Sequence, residues 1–166
     1  MANQILQTYQ AEAAMAVTNL HSLASSATAG WSSTFVDNST GYENATISIH
    51  IAAVNTAPGN DKAIYVFMYA STDGAIFTST GTSGGTVGTE GALTFPSIST
   101  LPILMPQLGV IPYMVQNKAL DASFQTRQCF PKLPKYWGLA ILNFSGFTFA
   151  AAGNTVKYQH DNPTVN

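Results

Sequence analysis

Polar and apolar positions alternate most clearly in ATISIHIAAV, where Ile47, Ile49 and Ile51 fall on one side and Thr46, Ser48 and His50 on the other. A period of two over this length predicts a strand with one buried and one wet face. The next apolar run, KAIYVFMYAS, is hydrophobic almost throughout, which predicts a central strand covered on both faces. NTAPGND between them is a turn cluster of Pro, Gly and Asn. Asp73-Gly74 in STDGAIF predicts a hairpin.

Residues 79–92, STGTSGGTVGTEGA, read as a glycine-rich loop, with no Gly-Lys-Ser/Thr ending that would make it a phosphate loop. The following FPSISTLPILMPQLGVIPY has prolines at 96, 102, 106 and 112, which exclude a central strand or a helix and predict an extended connection or sheet edge. Leu101, Ile103, Leu104 and Met105 within it are too apolar for a free loop; they either fold back over the core or form an interface with a partner. Strand patterns return in ASFQTRQCF, WGLAILNF, GFTFA and TVKYQH.

Short strands without a convincing internal helix predict an all-β fold: one antiparallel β-sandwich, jelly-roll-like, over residues 30–166. Residues 1–29 carry Ile5, Leu6, Tyr9, Ala13, Ala16, Val17 and Leu20 at roughly helical spacing, but no Lys or Arg for a wet helical face. A short helix and an extended arm on a neighbouring subunit both fit.

Composition changes this picture in one respect. Only 8% of the residues are charged, where an ordinary soluble protein has about a quarter. A nearly uncharged, Ser/Thr-rich surface is tolerable when much of it is covered by other copies or another protein, so a homo-oligomer is expected. The net charge of −2 and the scattering of the basic residues argue against nucleic acid. No apolar run approaches the roughly 20 residues of a membrane span, and MANQILQTYQAEAAMAV lacks the basic start of a signal peptide. The single cysteine, Cys129, excludes an intrachain disulfide. Asn38, Asn44 and Asn143 match the glycosylation pattern, which a chain this rich in Ser and Thr meets by chance.

Candidate chemistry is thin. His21, His50 and His160 have no second ligand at metal spacing. Among the acids, Asp37 and Glu43 alone are plausibly close, and the turn VDNSTGYEN accounts for both, with Asp37-Asn38 bonding the backbone. No GxSxG motif occurs, and Cys129 reads as a buried thiol in a strand. No enzyme, metal or cofactor is expected. The aromatics could include a sugar-stacking platform, but the surroundings of Trp137 hold few groups to bond sugar hydroxyls.

The segments LHSLASSATAGWSSTFVDNSTGYENATISIHI and DKAIYVFMYAS resemble a group of small virion proteins of tailed bacteriophages. That group shows a Leu-Ala-Ser segment leading to an aspartate-asparagine turn, a Tyr-x-x-Ala strand, and a charged turn before an apolar Tyr-rich strand. It closes with Pro-Lys-x-Trp-Gly, an Asn-x-Ser-Gly hairpin and a short last strand. The counterparts here are Pro134, Lys135, Trp137 and Gly138, then Asn143, Ser145 and Gly146. The likeness spans roughly residues 20–160 through short turn-like motifs, which specify a fold better than a task.

The resemblance implies a decoration (cement) protein on the capsid surface of a virion, made in the cytoplasm of a host bacterium. Such proteins clamp subunits of the major capsid protein, often as trimers. Head–tail and tail adaptor components share similar sandwiches, and a carbohydrate-binding module is the alternative of another class.

PKLPKYWGLAILNFSGF, residues 131–147, then reads as an extended lead into a strand, with Pro131 and Pro134 offering no amide to pair. Trp137, Leu139 and Ile141 are expected to enter the core, with Trp137 as its anchor. Lys132 and Lys135 stay on the rim, either meeting acidic groups of a shell protein or simply solvated.

Overall fold

The computed structural model describes residues 5–59, 63–78, 87–113 and 115–165. Most of the glycine-rich loop and the end of the NTAPGND turn lie outside them. The strands are β1 (Ile5–Tyr9), β2 (Ala13–Ala14), β3 (Ala29–Ser32), β4 (Val36–Asp37), β5 (Asn44–Ile51), β6 (Ala63–Ser71) and β7 (Gly91–Thr94). After the one-turn helix α1 (Leu101–Leu104) come β8 (Gln107–Pro112), β9 (Leu120–Gln125), β10 (Tyr136–Phe144) and β11 (Thr155–Val165).

One sheet has the order β1-β11-β5-β9, with β2 also on β11; the other runs β7-β3-β10-β6-β8, with β4 also on β10. The pairing is nested: β1 with β11, β3 with β10, β5 with β9, β6 with β8, each antiparallel. A chain folded back on itself and rolled into two sheets produces this order, which is that of a jelly roll. The all-β sandwich expected from the sequence is the observed fold.

The core follows the alternation. Ile47, Ile49 and Ile51 of β5 face Ile64, Val66 and Met68 of β6 and Trp137, Leu139 and Ile141 of β10 across the interior. The other face of β6 and β10 is also covered, as the unbroken apolar run of KAIYVFMYAS requires. Phe67, Tyr69, Ala140 and Leu142 are buried there beneath Leu93, Phe95, Leu101 and Met105, in a second apolar cluster. The segment after β7, from Phe95 to Met105, thus packs over the outer face of this sheet.

Several local expectations are corrected. Residues 5–14 take the extended alternative rather than the helix, and pair with β11 of their own chain. Prolines did not exclude a helix at 101–104, because Pro102 sits in the first turn, where a missing N–H breaks nothing. Asp73-Gly74 makes a turn with Gly74 at φ +77° but no two-strand hairpin, since β6 is flanked by β10 and β8. Among the described residues after the turn, Thr78 N returns a backbone bond, to Ala70 O at 3.3 Å. GFTFA is not a sheet strand; Phe147 and Phe149 are buried in the core, and Phe149 N bonds Leu23 O at 3.1 Å.

β9 stops at Gln125 and a 3-10 turn, Thr126–Gln128, replaces the predicted strand around Cys129. The cause is Thr126, which turns fully inward. Its hydroxyl accepts from Ala45 N at 2.8 Å and donates to Asn44 Oδ1 at 2.9 Å.

Candidate functional site

The lead into β10 is held by the aspartate-asparagine turn. Asn38 Nδ2 donates to Tyr42 O at 2.9 Å and to Pro134 O at 3.3 Å, and Asn38 Oδ1 accepts from Tyr42 N at 3.0 Å. Asn38 N donates to Lys135 O at 2.7 Å, and Leu133 N to Glu43 O at 2.9 Å. The turn therefore bonds backbone, as its sequence suggested, and Asp37 Oδ1 accepts from Ser39 N at 2.8 Å. With Leu133 buried in the core, Lys132 and Lys135 are left exposed. Lys135 Nζ lies 5.1 Å from the centre of the Tyr136 ring, near enough for a cation–π contact.

Trp137 follows with its ring wholly buried, edge-on to Tyr158 at 5.5 Å and to His160 at 6.0 Å. Trp31 is also fully buried, and its Nε1 donates to Glu90 Oε1 at 2.7 Å. Neither tryptophan can serve as an exposed sugar platform.

The four apolar residues of the 101–105 segment divide. Leu101 and Met105 are fully buried in the outer-layer cluster, because the helical turn puts both on the side facing β6 and β10. Leu104 is half-buried, and Ile103 projects with 83% of its surface open. Of the six residues expected at an interface, Ile103, Lys132 and Lys135 are available at the surface, Leu104 partly so.

The wet face of the β11-β5-β9 sheet carries the polar chemistry. A shallow groove of about 400 Å³ is lined by Glu12, Ser48, His50, Asp121, Ser123 and Lys157, among others. Two polar contacts cross it: a hydrogen bond between His50 Nδ1 and Asp121 Oδ1 at 2.7 Å and the ion pair of Lys157 Nζ with Glu12 Oε2 at 2.8 Å. At the end of this sheet Asp161 is almost completely buried. It accepts from Asn44 Nδ2 at 2.7 Å and from Gln7 Nε2, with Arg127 at 3.9 Å.

Sequence reasoning missed these contacts because each joins residues far apart in the chain. Only register across strands brings His50 opposite Asp121. The same holds for Glu90, which also accepts from Asn19 N and Nδ2, each at 2.6 Å. Burial works against its ionised form, but these bonds and that from Trp31 outweigh it and hold the carboxyl below its ordinary range.

Other titratable groups are placed structurally. His21 Nδ1 lies 3.0 Å from Asn154 Nδ2, and His160 stacks on Tyr42 at 4.6 Å. Burial pushes the half-buried Cys129 thiol up to about 11, far from a thiolate nucleophile. Among the described residues no three His, Cys, Asp or Glu side chains come together as metal ligands. The chain matches no protein-family model, no curated protein and no solved structure.

Proposed function

We propose that this chain is a non-enzymatic virion structural protein. It decorates the capsid surface of a tailed bacteriophage and stabilises the shell by bridging subunits of the major capsid protein, acting as a homo-oligomer, a trimer.

The nested strand pairing is the observation that carries this reading. Jelly rolls recur in viral capsid domains, and the segments that resemble phage virion proteins supply β5, β6 and β10 of this one. Fold alone does not fix function. The reading therefore leans also on the charge-poor composition and on the projecting Ile103 with Lys132 and Lys135.

The test is mass spectrometry and imaging of purified particles. Hundreds of copies on the shell are expected; a dozen or fewer at one vertex would replace decoration with a head–tail or tail adaptor role. Light scattering at micromolar concentration checks the oligomer, and a monomer both in solution and on particles would refute it.

A second reading, a carbohydrate-binding module, draws support from the groove with its carboxylates, hydroxyls, histidine and lysine, since jelly rolls also build lectins. Glycan-array binding that is lost in Asp121→Ala would favour it.

A further inference from the structure

Residues 5–15 run antiparallel along β11, from Ile5 opposite Val165 to Ala14 opposite Lys157, and Met15 N donates to Val156 O at 2.9 Å. The register slips by one residue between Tyr9, opposite Asp161, and Ala13, opposite Tyr158. The extra residue makes a bulge at 10–12, a local bend between β1 and β2.

β5 ends its pairing with β11 at Asn44 opposite Asp161. Beyond that point, among the described residues, Asn162 to Val165 have β1 as their strand neighbour and no other. β1 and the tip of β11 therefore form a two-stranded ribbon, to which the rest of the sandwich adds a bond from Glu43 N to Asn162 Oδ1 at 2.6 Å. Such a ribbon is marginal in water by itself.

Residues 7–12 are all exposed, and Tyr9 keeps 57% of its surface open. From residue 7 onward, Met15 is the first to enter the core. Residues 5–11 carry no charged side chain, so two such strands can approach each other without repulsion.

We propose that β1 is exchanged between copies of this chain, the strand Ile5–Tyr9 of one copy pairing with β11 of the next and the bulge at 10–12 serving as the hinge. The exchange is cheap because the ladder and the Gln7–Asp161 hydrogen bond are remade with identical groups. No side chain of residues 7–12 has to leave the core. The ribbon, marginal by itself, then becomes the link that ties neighbours together. This inference rests on the homo-oligomer proposed above and names the segment that joins its copies.

The test uses the full-length chain with Cys129→Ser, Thr8→Cys and Asn162→Cys, positions 8 and 162 being directly opposite in the ladder. After mild oxidation at micromolar concentration, non-reducing electrophoresis is read beside light scattering of the same sample. Exchange predicts covalent multimers at multiples of 17.6 kDa. Purely intrachain disulfides in a sample that scatters as an oligomer would overturn exchange and leave the oligomer standing. Purely intrachain disulfides in a monomer would overturn both. Failure to form any disulfide would overturn the β1–β11 pairing on which the inference is built.

Discussion

Replacing Trp137 by alanine tests the placement of β10 more sharply than any other change. The ring has no exposed surface and packs against Tyr158 and His160. The backbone at this position is pinned on both sides, opposite Val36 and Ala70. The strand therefore cannot shift to close the hole, which pushes the loss toward the upper part of the roughly 3–5 kcal/mol typical of aromatic truncations in cores. One feature works the other way. Trp137 Nε1 has no hydrogen-bond partner among the described residues, and removing a buried unpartnered donor recovers about 1–3 kcal/mol.

The net expectation is a loss near about 3 kcal/mol. For a domain of this size that lowers the melting midpoint by roughly 6–12 °C. Trp137→Phe keeps an aromatic ring and drops the N–H, so it should fall much less. Far-UV circular dichroism melts of the purified variants read both numbers, with or without glycan present. An unchanged midpoint in Trp137→Ala would refute the buried placement.

A methyl group at Gly138 would run into the ring and hydroxyl of Tyr69, whose Oη donates to Ser33 O at 2.7 Å. Gly138→Ala should therefore cost about 1–3 kcal/mol of overpacking, visible as a lower urea midpoint at unchanged slope; wild-type stability would show that the contact is slack. His160 gives a pH signature. Burial holds its imidazole below the ordinary value, while neighbouring Asp161 pulls upward. The unfolded chain takes up the proton first, near pH 6.5, so this contribution is whole above that value and is lost as pH falls through it toward the lower folded value. His160→Phe keeps a ring against Tyr42 but cannot titrate, and its melting midpoint should fall less than that of wild type on acidification from neutral pH; parallel pH profiles would count against the assignment.

How much of this fold could be read in the chain depended on whether the cause was local. The strict alternation of Ile47, Ile49 and Ile51 and the unbroken apolar run of β6 are one-dimensional signals, and both strands formed as read. The turn at Asp37-Asn38 was legible for the same reason, since its side chains bond backbone a few residues away. Failures came where a distant partner decided. Residues 5–14 look helical by spacing, but the open edge of β11 offers a ladder that overrides a weak helical period. Thr126 ends β9 because Asn44 and Ala45 draw its hydroxyl inward, and nothing in ASFQTRQCF announces that. The 101–105 segment was open between core cover and interface, and the helical turn uses it for both, with Leu101 and Met105 inside and Ile103 outside.

The nested pairing also orders events in time. Its innermost pair, β6 with β8, has the shortest span of the four, from Phe67 to Gln107 at its nearest, whereas the outermost joins Ile5 to Val165. Contacts between distant positions carry the largest loop-closure penalty and slow a fold down. β11 lies between β1 and β5, so a chain still leaving the ribosome lacks the strand that joins its first sheet. Folding is therefore expected only once β11 has emerged: arrested nascent chains ending before Thr155 should remain open to protease, and chains that present β11 should resist it. Until β11 arrives the chain would present unpaired strands to its neighbours, and a composition with only 8% charged residues leaves that interval poorly defended against aggregation.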